Sequence, residues 1–304
     1  MTLSTENLST ESLSTENLPG GVPQHVGVLG GGRMGAGIAH AFLMAGASVT
    51  VVEQGDAAAA AAHDRVMAAV DKSVSRGSVA AGRDELFGRL SVATDAAAFA
   101  GSGLVVEAVP EIVALKTQAL RTVEAHLAPT AWLASNTSSL SITDLAEALD
   151  RPERFIGLHF FNPVPVSTLI EVVTGERTDP ELARLAQSWV SALGKTPIMV
   201  RDSPGFASSR LGVAIALEAI RMVEEGVASP EDIDAAMVLG YKHPVGPLRT
   251  TDIVGLDVRL GIAEHLHETL GDRFTPPQLL RDLVARGDLG RKSGRGFFDW
   301  KDAS

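Results

Sequence analysis

Short apolar runs alternate along most of the chain with longer stretches whose apolar residues recur every three or four positions. His25–Gly30, Ser48–Val52, Gly103–Val109, Trp132–Ser135 and Phe155–Phe160 read as buried strands. Met34–Ala45 and the Ala-rich Asp56–Val74 read as helices between them. This alternation predicts an α/β fold built on a parallel, doubly wound sheet. Leu169–Val173 and Ile198–Val200 read as closing strands around a helix over Pro180–Leu193. Past Ser203-Pro204-Gly205 the strand signals stop, and Phe206–Glu225, Pro230–Leu239 and Gly255–Leu270 read as helices. Ser229 followed by Pro230, Glu231 and Asp232 is a strong helix start, with a capping hydroxyl, a preset φ and acids at the positive end. The pattern therefore divides the chain into an α/β domain over 25–202 and an all-helical C-terminal domain over 203–304.

The first residues follow neither period. Leu3, Leu8, Leu13 and Leu18 recur every five positions, the first three opening Leu-Ser-Thr-Glu repeats. That spacing places leucines on neither a helix stripe nor a strand face, so residues 1–24 are expected to form a disordered leader. The leader lacks the positive start and apolar stretch of a signal peptide. No later run approaches the roughly 18 apolar residues of a spanning helix.

Composition narrows the partners. With 26 Lys and Arg against 37 Asp and Glu, the net charge is −11, which argues against nucleic acid or an anionic membrane as partner. An anionic ligand then needs a local basic site. Cysteine is absent, so disulfides, thiolate nucleophiles and cysteine-held zinc are excluded, which suits a cytoplasmic protein. No metal site is expected.

Gly30, Gly32 and Gly35 form a G-x-G-x-x-G pattern, with Arg33 and Met34 inside it, directly after a strand and at the start of a helix. Gly30 suits the tight turn, Gly32 lets backbone approach a pyrophosphate, and Gly35 permits close helix–strand packing. The helix N-terminus adds N–H donors and the positive end of a dipole. This is a Rossmann-type arrangement. Glu53 ends the second strand, 23 residues after Gly30. A carboxylate there accepts hydrogen bonds from ribose hydroxyls and repels a 2′-phosphate, which selects NAD over NADP.

Two further clusters carry candidate chemistry. Ser135-Asn136-Thr137-Ser138-Ser139 follows an apolar strand. Its hydroxyls and amide suit either a polar substrate or helix capping, and the sequence leaves both readings open. His159 ends a strand among aromatics in Leu158-His159-Phe160-Phe161-Asn162-Pro163-Val164-Pro165, where a neutral imidazole can take a proton from an alcohol. Glu171 lies twelve residues on, between Ile170 and Val172. A carboxylate in an apolar strand needs a partner, and His159 is one candidate, although periodicity does not establish contact.

Taken together, these residues resemble the L-3-hydroxyacyl-CoA dehydrogenase family. The resemblance is carried by Gly30–Gly35, Val106-Glu107-Ala108-Val109-Pro110-Glu111, Ser135–Ser139, His159–Pro165, Asp202–Phe206, Gly246-Pro247, Val254–Asp257 and Gly290–Phe297. It spans roughly residues 25 to 300 in order. It implies a Rossmann domain, a helical domain that often carries a dimer interface, and a cleft between them. It further implies NAD as cofactor, an acyl-CoA substrate, His159 as catalytic base and Glu171 as the carboxylate that orients it. Ser138 matches the serine near substrate and nicotinamide, while Glu111, Lys116 and Asn162 match positions that hold the cofactor. One position departs from the pattern: Ser209 stands where the family has an active-site asparagine. Lys72 and Arg76, with Arg83 nearby, form the basic cluster nearest Glu53 in sequence, equally readable as a CoA-phosphate site or a solvated helix face. Two other functions stay open at this level, an NAD-dependent dehydrogenase of a polar hydroxy acid without CoA and a non-catalytic NAD(H)-binding scaffold.

Overall fold

A computed structural model describes residues 21–301. The repeat over residues 1–20 lies outside the described residues. Val22 is fully buried in the core, so the packed chain begins ahead of His25. The chain divides into two compact units: residues up to 137 together with 142–199, and residues 138–141 together with those from 200 onward.

The first unit holds the sheet. Its strands are β1 (His25–Leu29), β2 (Ser48–Val52), β3 (Leu90–Ala93), β4 (Leu104–Glu107), β5 (Trp132–Ser135), β6 (Phe155–Phe160) and β7 (Leu169–Thr174). An eighth, β8 (Thr196–Arg201), completes the order β3-β2-β1-β4-β5-β6-β7-β8. The pairs from β3 to β6 are all parallel. Strand β7 instead runs antiparallel to β6. The connection between them is too short for a right-handed crossover, which takes about a dozen residues or more. β3 was not legible because its residues are half exposed and lack a clean alternation.

Helices α1 (Arg33–Met44), α2 (Asp56–Ser75), α3 (Arg83–Gly88), α4 (Val113–His126), α5 (Ile142–Ala146) and α6 (Pro180–Ala192) link the strands. Ile38 and Phe42 of α1, Val66 and Val70 of α2, and Leu182 and Trp189 of α6 share one core with Val26, Val28, Val49 and Val51. α6 starts where the sequence dictates: Asp179 accepts from Glu181 N at its cap and Pro180 occupies the first turn. The strand order reverses at β1, with β2 on one side and β4 on the other. In such sheets the crevice outside the carboxyl ends of those two strands receives the ligand.

The second unit consists of α7 (Ser208–Glu224), α8 (Pro230–Ala235), α9 (Pro247–Val254), α10 (Leu256–Leu270) and α11 (Gln278–Ala285) around a separate core that includes Leu217, Ile220, Leu256, Leu266 and Phe274. The Ser229 hydroxyl accepts from Asp232 N at the start of α8, as its sequence predicts. The predicted continuation to Leu239 is a π-helical turn over Ala236–Gly240. Asp234, at the end of α8, accepts from Leu248 N at 2.8 Å and Arg249 N at 2.9 Å, so it caps α9. Gly246 makes this possible, because a Cβ there would collide with the Asp234 carboxylate.

Candidate active site

The glycine loop sits at the sheet's switch point. Gly30 has φ +91°, and a Cβ on it would stand 3.0 Å from Ala108 O at the end of β4. At Gly35 a Cβ would fall 1.7 Å from Gly30 O, so the turn closes only with glycine. Gly32 faces open space and caps α1 without any side-chain hydrogen bond, leaving the first N–H groups of the helix for a ligand. Gly30, Gly32, Arg33, Met34 and Glu53 line a cleft of about 810 Å³ with Val109 and Pro110. The Glu53 carboxylate is fixed by Gly31 N at 2.7 Å and Gln54 N at 3.1 Å. Each of its oxygens keeps a further lone pair for a hydroxyl. These residues fit a dinucleotide with an unphosphorylated 2′ position.

Beside this cleft lies a network that the sequence alone does not resolve. Glu107, fully buried at the end of β4, accepts from Lys116 Nζ at 2.7 Å, Val109 N at 2.6 Å and Ser135 Oγ at 2.6 Å. Lys116, 1% exposed, also donates to Val109 O and pairs with Glu111 at 3.2 Å. Thr137 Oγ1 donates to Glu111 Oε1 at 2.6 Å. The Ser135–Thr137 stretch thus ties β4, β5 and α4 together, and Lys116 is an interior residue with three acceptors. Glu107 is the functional-site residue that sequence reasoning missed. Its signal was a carboxylate in an otherwise apolar strand, the same signal that singled out Glu171.

His159 and Glu171 are directly opposite each other in the antiparallel β6–β7 pair. His159 Nδ1 donates to Glu171 Oε2 at 2.7 Å, the only direction open to an ionised carboxylate. Both are buried, Glu171 completely. The Phe161 ring lies 4.4 Å from the imidazole, centroid to centroid, and limits its rotation. Asn136 Oδ1 accepts from Phe160 N at 2.9 Å and anchors the end of β6. Asn162 is exposed in the turn that follows.

Ser138 and Ser209 both belong to the helical unit, Ser138 through the 138–141 segment and Ser209 in the first turn of α7. Ser141 Oγ donates to Asp202 Oδ2 at 2.8 Å within that unit. Lys72 lies in the last turn of α2 and Arg76 is its C-cap residue, both exposed. Arg83 is committed to Asp71 at 2.7 Å.

Fold and cleft together define a Rossmann-type dinucleotide-binding protein, and its similarity to known dehydrogenases makes it an NAD-dependent oxidoreductase. Models of the 3-hydroxyacyl-CoA dehydrogenase NAD-binding domain and C-terminal domain match residues 25–203 and 205–300. A probable 3-hydroxybutyryl-CoA dehydrogenase of Deinococcus radiodurans is 43% identical over 279 residues, covering 90% of this chain and 99% of that one. The 3-hydroxybutyryl-CoA dehydrogenase of Mycobacterium tuberculosis is 43% identical over 281 residues, 91% and 98% of the two chains. The crystal structure of (S)-3-hydroxybutyryl-CoA dehydrogenase from Ralstonia eutropha superposes with a TM-score of 0.88 at 38% identity, covering 91% and 99%. The chain belongs to the 3-hydroxyacyl-CoA dehydrogenase family.

Proposed function

We propose that this chain oxidises (3S)-3-hydroxyacyl-CoA to 3-oxoacyl-CoA, and runs the reverse reduction, in fatty-acid or related acyl-CoA metabolism. The observation that carries the reading is the 2.7 Å bond between His159 and Glu171 on paired strands. The names of the similar enzymes point to the same substrate class. NAD, held by the glycine loop and Glu53, would supply the hydride acceptor for C3.

The chain's own residues do the rest. With Nδ1 held by Glu171, His159 takes the 3-hydroxyl proton on Nε2. Glu171 fixes that tautomer and stabilises the imidazolium that forms, as the carboxylate of a hydrolase triad does. Burial keeps water from competing for either group. Ser138 and Ser209, assigned to the reaction by the resemblance, donate hydrogen bonds to the substrate oxygen. Glu111, Lys116 and Asn162 support the cofactor, Lys116 by fixing Glu111 rather than from an exposed position. Lys72 and Arg76 receive phosphates of CoA, since they are exposed cations on an acidic protein and form no ion pair among the described residues. The protein works in the cytoplasm as a homodimer. Among the described residues no helix is long and apolar enough to cross a membrane. The exposed Leu239 and Tyr241 of the helical unit support association.

The test is His159→Gln, assayed as NADH oxidation with 3-oxobutyryl-CoA. Loss of a general base lowers kcat by about 10²–10⁴-fold, while the dissociation constant of NADH, read from its fluorescence, stays the same. An unchanged kcat removes His159 from the mechanism.

A further inference from the structure

Arg259 is a buried charge that the proposed reaction does not use. It lies in α10 with 6% of its surface exposed, and its Nε is buried without a hydrogen-bond partner. It forms no ion pair among the described residues. Desolvation, uncompensated by any neighbouring carboxylate, pushes its guanidinium below the ordinary arginine range. Arginine nonetheless remains protonated in proteins. A desolvated guanidinium with no acceptor is costly, and a carboxylate is the acceptor its planar fork matches.

Gly212 indicates where that acceptor enters. A Cβ at this position would stand 3.3 Å from Arg259 Nη1, so the missing side chain leaves a notch in α7 beside the guanidinium. Gly212 is three residues beyond Ser209 on the same helix. Positions so spaced are neighbours, about 5–6 Å apart between their Cβ sites. Ser209 is the residue the proposed reaction places at the substrate oxygen on C3. An acyl chain that leaves C3 along α7 therefore reaches the notch within a few methylene groups. A methyl end there leaves the cation unpaired, whereas a carboxylate end forms a charge-assisted pair in a desolvated place.

We propose that Arg259, beneath the Gly212 notch, binds the distal carboxylate of the acyl group, so the preferred substrates are 3-hydroxyacyl-CoAs whose chains end in a carboxylate. This specificity rests on the reaction proposed above.

The test uses 3-oxoacyl-CoAs in matched pairs of equal length, one methyl-ended and one carboxylate-ended. Each is assayed with NADH for turnover and separately by calorimetry for binding, using the full-length wild type, Arg259→Met and Arg259→Lys. The wild type is expected to prefer the carboxylate end at one chain length by about tenfold or more, the effect of one charge-assisted hydrogen bond. Arg259→Met brings that ratio near one, and Arg259→Lys restores part of it. Equal binding of both ends by the wild type at every length overturns the proposal. So does an Arg259→Met variant that keeps the preference. If that variant keeps it but changes molar mass in light scattering, the acceptor is a carboxylate from a second copy of the chain, and the proposal fails. Absence of turnover on every thioester, with the end-group preference intact in binding, counts against the reaction but supports the Arg259 site.

Discussion

Ser209 stands in the first turn of α7, half-buried, where the family pattern has asparagine. An asparagine amide offers two donors and an acceptor on a longer stem, and a serine hydroxyl offers one donor that rotates. A donor aimed at a developing oxygen charge is worth roughly 2.7–4 kcal/mol in enzymes that depend on one. Ser209→Asn is therefore expected to raise kcat on 3-oxobutyryl-CoA by about tenfold or more, measured in single turnover so that product release does not mask the step. An unchanged rate would mean that another group already supplies the bond. The same residue type also fits a substrate that needs more room beside α7, as the carboxylate-ended class does. A gain on methyl-ended thioesters with a loss on carboxylate-ended ones would join the two effects in one position.

Between elements, Glu107 is the joint that holds β4, β5 and α4 in register around the cofactor cleft. Removing one partner of a buried ion pair leaves the other charge desolvated, at a cost of about 3–5 kcal/mol. Glu111 stays 3.2 Å from Lys116, so Glu107→Ala is expected near the lower end, about 3 kcal/mol in urea unfolding. A loss below about 1 kcal/mol would show that the pair contributes no more than a surface salt bridge. A second joint, between α1 and α2, responds to pH. His40 is 4% exposed and bonds Ser73 Oγ at 2.8 Å. Burial first, and the Lys195 charge second, hold its pKa below 6.5. The unfolded chain therefore takes up this proton more readily than the folded one. The stability linked to His40 is complete above the unfolded value of 6.5 and is lost as pH falls through it toward the lower folded value. The drop in Tm from about pH 7.5 to about pH 5.5 should be larger for wild type than for His40→Gln. Equal drops would place the titration elsewhere.

The sequence made the elements legible wherever burial imposed a period. The bounds of β2, β5 and β6 agree with their apolar runs, and α6 and α8 start at their capping residues. What stayed hidden depends on contacts between distant segments. The antiparallel turn of β7 follows from the length of its connection, not from its composition. Glu107 entered only among the residues that carry the family resemblance and Lys116 only as a position matched to cofactor binding, and the fold alone brings them to 2.7 Å. His159 and Glu171 were both identifiable, but their contact depends on strand register.

At the scale of the whole molecule, the described residues form two compact units, each with buried packing of its own, and every residue lining the dinucleotide cleft belongs to the sheet-bearing one. A ligand that binds only folded protein adds about 2.7 kcal/mol of stability at one hundred times its dissociation constant. NADH at that level should raise the calorimetric transition of the sheet-bearing unit and leave one for the helical unit in place. A single transition that shifts as one would show that the two cores unfold together. The division itself has a consequence for anyone who cuts the gene. Residues 138–141 belong with the helical unit, yet they lie within the coding sequence of the other. No single cleavage point yields two whole modules. A helical fragment starting at 200 lacks four of its own residues, Ser138 among them, so transplanting the whole helical unit of this chain means moving two separate stretches of sequence.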